Sequence, residues 1–197
     1  MLNSFIITPK YFRTPENPWE LVQEPGIEDR YKRAFEKTDP NFTIYKDDWS
    51  DGVIRYTVDN EVKFYGIQEC KRSDNRIATY HSRIVQGLAY VASWLNQFPK
   101  AKDKFKVLIL PTDERIDVVY LEDILKSSFW TQFCFYWLEH RRHKKCSASN
   151  FYEKSIDIQS LIWQYEPRFK TSHRLIGREL DLKNVTAEIL RNCYECN

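Results

Sequence analysis

Asp51-Gly52-Val53-Ile54 and, beyond a turn at Asp59-Asn60, Gly66-Ile67-Gln68-Glu69-Cys70-Lys71 are the two stretches on which the reading of this chain depends. Val53, Ile54, Tyr56 and Val58 predict a strand over Gly52 to Val58, and a second strand is predicted over Val62 to Lys71, the two joined as a hairpin at Asp59-Asn60. Side chains alternate along a strand, so Glu69 and Lys71 share one face and Cys70 points to the other, towards packing. Asp51 and Glu69 are roughly equidistant from the turn and therefore meet at the same end of the hairpin. Two converging carboxylates repel unless a cation sits between them, and magnesium takes one or two protein carboxylates together with waters and phosphate oxygens. A lysine beside such an ion stabilises developing negative charge or orients the attacking water. The same residues also have plain structural uses: Ser50-Asp51-Gly52 is good turn chemistry, and an exposed Glu–Lys pair at a strand end contributes only about 0–1 kcal/mol.

Outward from the hairpin, Ile27, Tyr31, Ala34 and Phe35 recur at helical spacing and predict a helix over Ile27 to Glu36, closed by Asp39-Pro40. Phe42 to Tyr45 is a short strand candidate. Ser73, Asp74 and Asn75 mark a polar loop, followed by a long helix from about Tyr80 to Phe98 and a strand over Lys106 to Leu110. Helix, three strands, helix, strand is the pattern of an α/β domain with a mixed central sheet flanked by helices. Beyond Pro111, Val119 to Lys126, Trp130 to His140 and Val185 to Cys193 are helix candidates. The expected organisation is a core over 1–111, with an irregular N-terminal segment, and a mostly helical extension over 112–197 packed on it within one structural domain.

The long helix carries an apolar stripe through Ile84, Leu88, Val91 and Leu95. Gln86 and Tyr90, four residues apart, stack on a face about 200° from that stripe, which predicts that this face lies away from the main core contact. Arg83 lies close to it, and an amide, a phenol and a guanidinium in a row suit a phosphate backbone.

Taken together, Asp51-Gly-Val-Ile, Gly66-Ile-Gln-Glu69-Cys-Lys71 and Gln86-Gly-Leu-Ala-Tyr90 resemble the PD-(D/E)xK nuclease superfamily, which is restriction-endonuclease-like in fold. The likeness is greatest to the RecB-like branch and the nuclease domains of type I restriction subunits, where a QxxxY helix follows the ExK strand. It covers about residues 24–111; Ser50 stands where the motif has proline. The resemblance implies a magnesium- or manganese-dependent deoxyribonuclease using metal-activated water in an in-line attack. Asp51, Glu69 and the Cys70 backbone carbonyl would bind the metal, with Glu28 as an outer ligand or supporting acid and Glu36 as its fallback. Lys71 would act on the water or the transition state, and Gln86 and Tyr90 would position the site and the nucleic-acid backbone. DNA is the expected partner, with RNA as the second candidate. A catalytically inactive nucleic-acid-binding or protein-interaction module on the same fold is the alternative. Endo- versus exonuclease action and a homodimer are left open.

Composition agrees with an ordinary folded domain: 197 residues, 42% hydrophobic and 29% charged, with a net charge of +2. Only 5 glycines occur, and no phosphate-binding glycine loop or motor motif is among them. The most apolar run, Phe129 to Leu138, is too short to span a bilayer, so no membrane is expected. Met1 to Ile7 lacks the features of a signal peptide, and five cysteines, an odd number, suit reduced thiols in a cytoplasmic setting; viral, mobile-element and cellular origins all fit. His143, Cys146, Cys193 and Cys196 have zinc-binding chemistry, but the long gap and the terminal CxxC favour unrelated free thiols. The basic run His140 to Lys145 reads either as a nucleic-acid grip or as a cationic helix end that complements the dipole.

Overall fold

The hairpin forms as its turn chemistry demands. Asp59 and Asn60 both hold positive φ, 52° and 61°, the conformation that two-residue turns between twisted strands require. The computed structural model describes residues 24–46, 50–71, 80–112, 115–143, 148–166, 171–175 and 182–195. In chain order these form α1 (Glu24–Thr38), β1 (Phe42–Tyr45), β2 (Gly52–Val58), β3 (Glu61–Gln68), α2 (Tyr80–Gln97), β4 (Phe105–Pro111) and β5 (Arg115–Tyr120). They continue with α3 (Glu122–Lys126), α4 (Ser128–His143), α5 (Phe151–Lys154), α6 (Ile156–Tyr165), β6 (Thr171–Leu175) and α7 (Leu182–Leu190).

The six strands lie side by side in chain order. Every neighbouring pair is antiparallel except β3 and β4, which are parallel. A parallel pair needs a long crossover, and α2 supplies it. Alternation along the strands divides the core in two. Val53, Ile67, Leu108 and Val119 point to the face covered by α2, α4, α5 and α6. Ile54, Phe64, Val107, Ile109 and Val118 point to the opposite face, where Tyr31 and Phe35 of α1 and Val185 and Ile189 of α7 close the core.

The α/β class with its mixed sheet and helical C-terminal part stands. The extension over 112–197 is less purely helical than predicted, because it also supplies β5 and β6 to the same sheet. The helix expected over Val119 to Lys126 starts later: Val119 and Tyr120 complete β5, pairing with Leu108 and Val107, and α3 begins at Glu122. A β-branched pair followed by an aromatic fits a pleated surface better than a helix start. Among the described residues no helix is long and apolar enough to cross a membrane.

Candidate active site

The register of the hairpin decides which groups meet. Gly52 pairs with Gln68, and one step further the same register sets Asp51 opposite Glu69. A strictly regular hairpin about Asp59-Asn60 would instead set Asp51 against Gln68 and turn the two carboxylates to opposite faces. The ladder shifts between Tyr56, which pairs with Phe64, and Thr57, which pairs with Val62. Lys63 is thus an extra residue, a β-bulge that absorbs the difference.

Past Gln68 the backbone stays tied to β4. The N–H of Glu69 donates to the Ile109 carbonyl at 3.0 Å and that of Lys71 to Pro111 at 3.1 Å. Cys70 turns the other way, as its position predicts. Its thiol is buried against the α1 side of the sheet and accepts from Gln68 Nε2 at 3.3 Å. Burial, followed by the charges of Asp51, Glu28 and Glu69, holds that thiol well above its ordinary pKa. The Cys70 N–H donates to Asp51 Oδ2 at 2.6 Å, so the expected metal-binding acid is braced by the backbone between Glu69 and Lys71. Among the described residues nothing donates to the Cys70 carbonyl.

Glu69 is buried to 1% exposure, and its Oε1 lies 2.6 Å from Lys71 Nζ. Burial, then the neighbouring charges of Glu69 and Glu28, push the Asp51 carboxyl up to about 9, against the pull of Lys71 and of the Cys70 N–H. Negative charge is therefore crowded here beyond what one lysine offsets.

Gln86 and Tyr90 arrive from α2. Gln86 Nε2 donates to Tyr90 Oη at 2.9 Å. Burial first, and then Glu69 and Asp51, raise the Tyr90 phenol pKa, which sets this pair in the electrostatic reach of the carboxylates. The sequence places their face away from the main core contact, but that face is not open. Gln86 is buried because α2 is enclosed: the sheet covers one side and the C-terminal helices the other. Trp137 of α4 donates to Ser93 at 3.2 Å, and Tyr152 of α5 and Glu166 at the end of α6 reach His81.

Arg83 is engaged elsewhere, and Glu28 stands apart from the other two acids. Arg83 does not present its guanidinium to solvent. It is 3% exposed and pairs at 2.6 Å with the fully buried Asp117 of β5, while Nη1 donates to the Leu110 carbonyl at 3.2 Å. It ties α2 to β4 and β5 and is not placed as a phosphate contact. Glu28 is not gathered with the other two acids. Its Oε2 lies 2.6 Å from Lys46 Nζ, and among the described residues no three His, Cys, Asp or Glu side chains converge as a metal-binding group. It acts on Asp51 through space. The reason is the cation just past β1: burial works against the charge of Lys46, yet Glu28 and, further off, Asp51 keep its pKa raised. Sequence reasoning missed Lys46; a lysine one residue beyond a short strand, near the predicted acids, was the available signal.

The C-terminal cysteines and basic run divide. Cys146 and Cys196 lie outside the described residues, as do Lys144 and Lys145, and nothing describes the His143 side chain. Cys193 is buried in the core beside α7, and burial pushes its thiol up to about 12, so it packs as a small apolar group. His140 is buried against the rings of Trp137 and Phe151, whereas Arg141 and Arg142 are exposed.

A divalent ion fits the donor chemistry in kind. Two carboxylates on one sheet face and a carbonyl with no donor among the described residues are of the hard oxygen type, and the crowding that raises Asp51 is what a cation would relieve. No protein-family model, curated protein or solved structure matches this chain.

Proposed function

We propose that the chain hydrolyses phosphodiester bonds, with DNA as the substrate and magnesium or manganese as the cofactor. The observation that carries this reading is that Asp51 and Glu69 flank the last pair of the β2–β3 ladder and repel one another, with Lys71 on Glu69 and Tyr90 within electrostatic reach of both acids. The resemblance of the same residues to the PD-(D/E)xK motif supports it independently. A divalent cation, when bound, would lower the pKa of an attacking water and neutralise phosphate charge. Glu69 and Asp51 are the residues that would hold it, with the Cys70 carbonyl. Lys71, released from its pairing with Glu69, would set its ammonium against the charge that builds on the phosphate oxygens. Gln86 and Tyr90 would keep that wall of the site rigid, the amide fixing the phenol.

The test is cleavage of linear, circular, single- and double-stranded DNA with magnesium, with manganese and with EDTA, beside Glu69→Gln and Lys71→Ala. Cation-dependent cutting lost in both variants supports the reading, and the circular substrate separates interior from terminal attack. Folded protein that binds DNA and cuts nothing under any condition would sink it. One observation favours a second reading, a nucleic-acid binder without catalysis on the same fold. The Glu69–Lys71 pair at 2.6 Å already neutralises one acid, so such a binder would need no cation; binding unchanged by EDTA, together with absent cleavage, would select it.

A further inference from the structure

The face that carries Asp51 and Glu69 continues onto β1 and β2, and there none of the described helices packs closely on it. Thr43, Tyr45, Arg55 and Thr57 alternate with the buried Phe42, Ile44, Ile54 and Tyr56, so they share the face of Val53, Ile67 and the two acids. Among the described helices α1 alone packs closely on β1 and none on β2, and α1 lies on the opposite face. The prominent groups are one aromatic and one cation. Arg55 Nη2 donates to Tyr45 Oη at 2.7 Å, its guanidinium carbon sits 4.8 Å from the centre of the Tyr45 ring, and both side chains are half-buried. Thr43 Oγ1 donates to the Arg55 carbonyl at 3.1 Å, binding the two strands beneath them.

A half-buried arginine in a protein usually meets a carboxylate. Among the described residues none pairs with Arg55, and its Nε–H, buried from solvent, has no acceptor there. Phenol and ring fix the orientation of the guanidinium without neutralising it, so its positive charge is pre-oriented for an anion. Arg55 stands four residues along β2 from Asp51, about 13 Å by strand rise, a distance covered by a few nucleotides of one strand.

We infer that Arg55, held by Tyr45, is a phosphate-binding position for the nucleic-acid strand whose scissile bond lies at Asp51 and Glu69. This rests on the hydrolytic reading for the identity of the neighbouring site, but its chemistry is binding and needs no metal. The occupant is the sugar–phosphate backbone, since Arg55 offers charge and hydrogen-bond donors and the ring beside it is already engaged by the guanidinium. Tyr45 is a positioning residue, because it acts through Arg55.

The experiment measures binding of the full-length protein to a fluorescent oligonucleotide, single-stranded and as a duplex. Calcium or EDTA replaces magnesium, and salt is varied. Arg55→Gln is expected to bind about tenfold more weakly near 0.1 M salt, with the slope of log affinity against log salt reduced by about 0.7–0.9, the signature of one lost phosphate contact. Arg55→Lys should restore the slope, and Tyr45→Phe should weaken binding a few-fold with the slope intact, since the charge remains. Thermal melts establish that each variant is folded. A folded Arg55→Gln variant with unchanged affinity and slope overturns the inference, as does a parent protein that binds no nucleic acid. The outcomes separate from those of the hydrolytic reading. Arg55-dependent binding with no cleavage under any cation leaves this inference standing and removes hydrolysis. Cleavage by a parent whose binding ignores Arg55 does the reverse.

Discussion

Asp51 and Glu69 follow directly on the Gly52–Gln68 pair that closes the β2–β3 ladder, in a register set by Lys63, which bulges out of the ladder opposite Tyr56 and Thr57. The Asp51 carboxylate is then fastened by the Cys70 N–H, and Glu69 is left buried with Lys71 as its ion-pair partner. Charge of both signs is thus enclosed at one end of a hairpin, and the consequences can be measured.

The first concerns Lys71. Its removal takes the ion-pair partner from a carboxylate that is 1% exposed, and breaking a buried pair from one side typically costs about 3–5 kcal/mol. Lys71→Met is expected to lose stability towards the lower end of that range in urea unfolding, because Glu69 can take up a proton. The double variant Glu69→Gln with Lys71→Met should recover much of the loss. A single variant as stable as the parent would mean that the pair is open to water.

Asp51 makes the metal-free protein sensitive to pH. Its pKa rises from an ordinary 3.8 to about 9 on folding, so the folded state binds a proton that the unfolded chain releases. Its contribution to stability is fully present below about 4 and is lost as pH rises through about 9. In EDTA, urea midpoints of the parent should fall across this window, and those of Asp51→Asn should fall less. Magnesium competes with that proton, so its stabilising effect on the parent should be greater at pH 8.5 than at 6.5. Equal pH profiles for parent and Asp51→Asn would refute the crowding.

Arg83 is a strut and should behave as one. Arg83→Met leaves Asp117, fully buried, without its guanidinium, at a cost of about 3–5 kcal/mol. Adding Asp117→Leu should return part of it. Nucleic-acid affinity per folded molecule should not change. A stable Arg83→Met protein with weakened DNA binding would restore the sequence-based expectation.

Two glycines sit where neighbouring elements approach closely, Gly66 between adjacent strands and Gly87 between α2 and the sheet. A Cβ on Gly66 would lie 2.7 Å from the Val107 carbonyl oxygen, a backbone atom that cannot yield, whereas the atoms nearest a Cβ on Gly87 are side-chain carbons of Leu108. Gly66→Ala is expected to destabilise by at least about 2 kcal/mol. At Gly87→Ala the overpacking is partly offset by about 1 kcal/mol of helix propensity, so its melting temperature should fall less. The reverse order would show that the sheet yields more readily than the α2 contact.

Much of this protein was legible in the order of its residues. The strand limits Phe42 to Tyr45 and Gly52 to Val58, the Asp59-Asn60 turn and the span of α2 follow from local causes: period-two alternation, turn residues that accept positive φ, and proline at the helix end. That Asp51, Glu69 and Lys71 lie at one end of a hairpin was also legible, because a hairpin is a local structure; which face each acid takes was not, because the bulge at Lys63 decides it. What the tertiary structure alone decided were partnerships over long separations. Lys46 takes Glu28, Asp117 takes Arg83, β6 pairs with β5 across the C-terminal helices, and those helices close over α2 at His81 and Ser93. The physical reason is common to all of these. A residue's own periodicity states which way it points, but not what the rest of the chain will set in front of it, and buried charges find counter-charges wherever packing brings them.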